Sequence, residues 1–178
     1  MKGITDIDLN TKEILEFHLP RWDELPEIEL YMDQVVYTLE KKLEIFAEDE
    51  SQKIITSTMI NNYVKQKVVK PPEKKRYGRL QLSYLFVVCL LKRIMNISDI
   101  CTSIEMMLKK YTVQQIYDMF CDEFESALRV AFTGEPSSNG IHDEDADVEV
   151  VALRSAMMAL ANLILVQRIV KLEINNKE

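Results

Sequence analysis

The chain has 178 residues, 47 % of them apolar, and a formal net charge of −7 at neutral pH. That length fits one domain, or a small domain with a helical appendage, and the apolar share suffices for a core. Four glycines and five prolines exclude a turn-rich all-β design, and the opening MKGITDIDLN lacks the apolar stretch of a secretory signal.

Residues 1–19 are acidic and without pattern, which predicts a flexible N-terminal arm or a short helix. Leu19 to Pro26 follows, with two prolines around Trp22, the single tryptophan, expected to pack as an anchor. From Glu27 to Phe46 the apolar residues Ile28, Met32, Val35, Val36, Leu39, Leu43 and Phe46 form a helical stripe. Pro26 suits the first turn of that helix. Glu27, Glu29 and Asp33 near its start and Lys41 and Lys42 near its end match its dipole. Ala47 to Lys53 reads as a loop.

Charge then reverses sign. Residues 53–93 carry ten Lys or Arg against one acid, Glu73, a local charge of +9. The flanks are −9 and −7. A basic block inside an acidic protein points to a polyanionic partner. Within the block, Thr56 is a suitable N-cap for a short helix over 57–67. Met59, Ile60, Tyr63 and Val64 share one face; Thr58, Asn61, Asn62 and Lys65 share the opposite one. A basic hairpin or wing is expected next, carrying Lys70, Lys74, Lys75, Arg76, Tyr77 and Arg79.

Leu80 to Met95 predicts a buried helix, and Ser98 and Asp99 the start of another with Ile100, Ile104, Met107 and Leu108 inward. Thr112 is a plausible N-cap for a helix carrying Val113, Ile116, Phe120, Phe124, Leu128 and Ala131 at spacings of three and four. The stretch 133–147 has the composition of an acidic loop, with His142 solvated. The last helix, about 148–173, is apolar nearly all round and must be covered on several sides. Glu149, Arg154, Asn162, Gln167 and Arg168 interrupt it, so a buried helix is expected rather than a membrane span. It either fills the centre of the helical half or packs against a second subunit. Cys89, Cys101 and Cys121 are an odd number without a CxxC, as reduced core thiols of a cytoplasmic protein would be.

A helix of about ten residues fits the DNA major groove, where Asn offers a donor and an acceptor to adenine. Thr58, Asn61, Asn62 and Lys65 are therefore the expected reading face. Lys70, Lys74, Lys75, Arg76 and Arg79 are the expected contacts to the phosphate backbone. No Gly-rich phosphate loop, GxSxG or HExxH is present, so neither an enzyme nor a cofactor or metal site is expected.

The segment Met59 to Pro71 resembles the recognition-helix-to-wing segment of the mercury-resistance-regulator-like (MerR-like) winged helix family, through Ile60, Tyr63, the pair Val68 and Val69, and Pro71. Arg76-Tyr77 with Leu80 and Leu82, and Met95 to Ile100, resemble that family's following stretches. Asn61, Asn62, Val64 and Lys67 stand where the family has Arg, Tyr, Glu and Gly. Over most of its length the chain also resembles an uncharacterised bacterial family built on a domain of unknown function, through LPRWDELPEIELYMDQV, ITSTMINNYVKQ and PPEKKRY. These resemblances imply a mostly α fold: a winged helix-turn-helix over 20–110, then a helical dimerisation or effector region over 111–178. The expected function is transcriptional regulation by a homodimer on double-stranded DNA, with the effector unspecified. The alternative is a protein-interaction module whose basic wing meets an acidic partner.

Overall fold

The computed structural model describes residues 11–47, 53–135 and 147–175, and these are mostly α-helical. In chain order the elements are α1 (Thr11–Leu15), β1 (Leu30–Tyr31), α2 (Met32–Leu43), α3 (Ser57–Lys65), β2 (Arg76–Tyr77), α4 (Arg79–Leu91), α5 (Ile97–Leu108), α6 (Val113–Thr133) and α7 (Val148–Asn175). Short 3-10 turns occupy Trp22–Glu24 and Glu44–Phe46. Two compact units result: Leu19–Met119, and Met1–His18 together with Phe120–Glu178.

In the first unit the helical stripe of residues 27–46 is shorter than the periodicity predicts. The helix begins at Met32, because Leu30 and Tyr31 are drawn into an antiparallel ladder, Leu30 opposite Tyr77 and Tyr31 opposite Arg76. The Tyr31 N–H donates to the Gln34 carboxamide oxygen at 2.9 Å, which satisfies one of the orphan donors at the start of α2. Ile28, expected inward, is 72 % exposed as a result. Glu27 faces Arg79 instead of serving a helix dipole. Val35, Leu39 and Leu43 keep the predicted buried face.

Helix α4 is the axis of this unit. Nine of its residues, Leu82, Ser83 and Leu85 to Leu91, are buried, as an apolar sequence without a polar face requires. Ser83 is satisfied locally, its hydroxyl donating to the Leu80 carbonyl at 2.8 Å. Helix α5 starts earlier than Ser98: Asn96 is the cap, its side-chain oxygen accepting the Asp99 N–H at 2.9 Å. Thr112 caps α6 as expected, in reciprocal bonds with Gln115. Trp22 is half-buried, and its backbone N–H donates to the Asp118 carboxylate at 2.8 Å.

In the second unit, residues 11–15 form a short helix, one of the two forms expected for the N-terminal segment. Ile14 is buried, and Phe17 meets Phe124 edge-on at 6.1 Å. His18 lies 3.4 Å from Glu125. Residues 1–10 of the arm and most of the acidic loop with His142 lie outside the described residues.

Helix α7 buries Met157, Leu160, Ala161 and Ile164. Arg154 forms a 2.9 Å ion pair with Glu123, both largely shielded from solvent. The burial of α7 is one-sided, so the helix does not fill the centre of the helical half, the first of the two arrangements expected for it. Val148, Val166, Val170 and Ile174 are each more than half exposed. Ala152, Ser155, Ala159 and Asn162 continue the same open stripe at spacings of three and four. By length and composition alone, Val148–Ile174 is apolar enough to cross a membrane.

Candidate nucleic-acid interface

Helix α3 is built by its two ends. At the start, the Thr56 hydroxyl accepts the Met59 N–H at 3.2 Å, the predicted cap. At the finish, the Lys67 N–H donates to the Val64 carbonyl and the Val68 N–H to the Tyr63 carbonyl, each at 3.0 Å. That pair of bonds is a Schellman closure, and it places Lys67 in the left-handed region at φ 60°. Val68 and Val69, both buried, pin the chain beyond it. The helix therefore ends at Lys65, two residues short of the expected 67.

Ile60 and Tyr63 hold α3 to the core, so the opposite face is necessarily outward. Thr58, Asn61, Asn62 and Lys65 are all exposed. Beneath the helix, the Tyr63 hydroxyl is buried without a hydrogen-bond partner among the described residues. Burial, with a smaller contribution from Cys89, raises its pKa. The Cys89 thiol is pushed up to about 12, chiefly by burial; Lys92 opposes the shift and Glu40 adds to it. Glu40 also accepts the Ile55 N–H at 2.7 Å, which fixes the approach to α3.

The expected wing is a tight hairpin. Glu73 and Arg76 exchange backbone hydrogen bonds, N–H to carbonyl, of 3.1 and 2.8 Å around a two-residue tip, Lys74 and Lys75. Both tip residues have positive φ, 47° and 63°, the signature of a type I′ turn. Asn-Gly is the favoured tip, so two lysines there cost on the order of 1 kcal/mol each in backbone strain. Arg76–Tyr77 then pairs with Leu30–Tyr31 on the other side.

Of the nine side chains singled out in the sequence, eight are exposed: Thr58, Asn61, Asn62, Lys65, Lys70, Lys74, Lys75 and Arg76. None of the four lysines forms an ion pair among the described residues. Arg79 differs. Its guanidinium donates to the Leu25 carbonyl at 3.3 Å and sits 3.7 Å from Asp23 and 3.8 Å from Glu27. It is occupied in tying the start of α4 to the segment before β1. Two residues were missed. Tyr31 lies inside the span 27–46 that reads as one helix, off its apolar stripe, yet it sits under the Arg76 guanidinium. Lys67 stands at a glycine-like position, and its substitution for Gly was the only available signal.

The fold and this surface define a class: a mostly α-helical protein that carries a short polar helix and a lysine-tipped hairpin on a two-stranded ladder. The chain belongs to the family described as Domain of unknown function (DUF1836), whose model matches residues 20–120. No curated protein and no solved structure matches the chain.

Proposed function

We propose that this protein is a DNA-binding transcriptional regulator, with Leu19–Met119 acting as a MerR-like winged helix-turn-helix. In this reading α2 and α3 are the helix pair, α3 enters the major groove and the Glu73–Arg76 hairpin is the wing. Thr58, Asn61, Asn62 and Lys65 face base edges and adjacent phosphates; Lys70, Lys74, Lys75 and Arg76 meet the backbone. Nine residues of α3 make a rod about 13 Å long, short enough to lie along one groove.

The observation that carries the reading is the pairing of an outward polar α3 face with a +9 block in a protein of net −7. The test is selection of bound duplexes from random DNA, followed by titration across a salt series. Four to five phosphate contacts per protomer give a slope of log affinity against log salt near −4 for one protomer and near −8 for a bound dimer.

The open stripe of α7 supports a homodimer. Two antiparallel copies, crossing near Ala159 and Asn162, bring Val148 toward Ile174 and Ala152 toward Val170. Small side chains at the crossing allow close approach, and larger ones close the ends. Such a dimer presents two α3 helices to a pseudo-palindromic site. The ion pair of Arg154 with Glu123 and the packing of Met157, Leu160, Ala161 and Ile164 support a cytoplasmic protein over a membrane-spanning one.

A second reading rests on exposed Ile28 and Tyr37, 72 % and 65 % accessible. With the wing they form the elements of a surface for an acidic protein partner. Binding without preference for duplex DNA and without steep salt dependence favours that reading.

A further inference from the structure

Among the described residues, every non-glycine residue with positive φ is a lysine: Lys67, Lys74 and Lys75. All three lie within nine consecutive positions of the basic block. Each occupies a site where glycine, or Asn-Gly at the hairpin tip, is the low-strain choice. The tip also sets two like charges side by side, a second unfavourable term. Lys67 closes α3 in a Schellman motif, where the missing Cβ of glycine is ordinarily the advantage. None of the three forms an ion pair among the described residues. Folding thus gains nothing visible from these side chains and is opposed by their backbones.

We infer that Lys67, Lys74 and Lys75 form the principal phosphate anchor of this surface, the strain being retained because a cation is required where the fold prefers glycine. The inference rests on the DNA-binding reading. It adds Lys67 as a binding residue and ranks these three above Lys53 and Lys65, whose backbones are unstrained. Seven residues separate Lys67 from Lys75 at the extremes of the intervening chain, so the lysines lie at most about 27 Å apart. That span fits within one turn of duplex, about 34 Å. A glycine at position 67 offers no charge there; the lysine is exposed and supplies one.

Two sets of variants separate charge from strain. Lys67→Gly and Lys74→Asn/Lys75→Gly remove both; Lys67→Gln and Lys74→Gln/Lys75→Gln remove the charge and keep the strained backbone. Thermal unfolding and duplex binding are measured on the full chain, with Lys53→Gln as the comparison. The glycine-bearing variants are expected to melt about 2–6 °C higher than the parent. Both forms of the tip double variant are expected to lose at least about tenfold in affinity, and the salt slope to weaken by about one per lysine removed. Lys53→Gln is expected to change affinity by less than about threefold.

A parent protein that binds no duplex at low salt overturns the DNA-binding reading and the anchor with it. A parent that binds, with variants that match its affinity and salt slope, overturns the anchor alone. Binding lost only in the glycine-bearing variants, and kept in the glutamine ones, also overturns it, because shape rather than charge is then at work.

Discussion

The Arg76 guanidinium lies 5.2 Å from the centre of the Tyr31 ring, and one of its nitrogens donates to the Tyr31 hydroxyl at 3.1 Å. The two residues also face each other across the ladder. A cation held in this way has little rotameric freedom to lose, and Arg76 remains exposed to solvent. Tyr31→Ala is therefore expected to weaken duplex binding about threefold to tenfold although no charge is removed. Tyr31→Phe keeps the ring and is expected to lose less. Fluorescence anisotropy with a labelled duplex reads both.

Asn61→Ala and Asn62→Ala are expected to change which sequences are retained, each relaxing discrimination at its base pair by about 1–3 kcal/mol. Lys74→Ala/Lys75→Ala/Arg76→Ala is expected to weaken all sequences alike. Parallel selections from random duplexes distinguish the two patterns. An unchanged affinity in the triple variant rejects the wing as a contact.

Thr56→Ala removes the cap of α3 and leaves the Met59 N–H without its partner. A loss of about 1 kcal/mol is expected, which for a chain of this size lowers the melting temperature by about 2–4 °C. Amide exchange in the first turn of α3 should accelerate before exchange in α4.

Alkali should destabilise the fold through Cys89. Its thiol is raised from 9.0 to about 12 in the folded state, so the contribution is complete below pH 9. Between pH 9 and about 12 the unfolded chain releases this proton and the native chain retains it. Stability then falls by about 1.4 kcal/mol per pH unit for this group. Tyr63, raised for the same reason, adds to the decline above its ordinary value of 10.0. Cys89→Ala is expected to make denaturant midpoints decline less steeply over that range, at the cost of a small cavity. An equally steep decline in the variant assigns the effect elsewhere.

Replacing Ala159 on the open stripe of α7 with Arg is expected to convert a dimer to a monomer without lowering helix content. Sedimentation velocity and circular dichroism test this together. A parent protein that is monomeric at all concentrations removes the dimer from the proposed function.

The helices were legible in the sequence where burial repeats at a helical period. The Val35, Leu39 and Leu43 stripe and the opposed faces of α3 are examples, as are the Thr56 and Thr112 caps. Strand β1 was not legible. Ile28 and Met32 fall at helical spacing, and a two-residue strand carries too few side chains to break the period. The hairpin tip was placed but its form was hidden, since Lys-Lys is not the residue pair a type I′ turn favours. Arg79 looks in the sequence like one more exposed cation because its acidic neighbours, Asp23 and Glu27, lie more than fifty positions earlier in the chain. The open side of α7 follows from what its neighbours cover, which composition does not state.

The lysine-tipped hairpin is secured on both margins, by the Glu73 pairing on one and by β1 on the other. β1 runs directly into α2, so the tip moves with the helical frame and not as an independent limb. A surface of this kind has its shape before any partner arrives. Little ordering entropy is then left to be lost on association, and free and bound conformations should superimpose closely. Discrimination between partners must consequently come from chemical fit and field, with induced rearrangement contributing little.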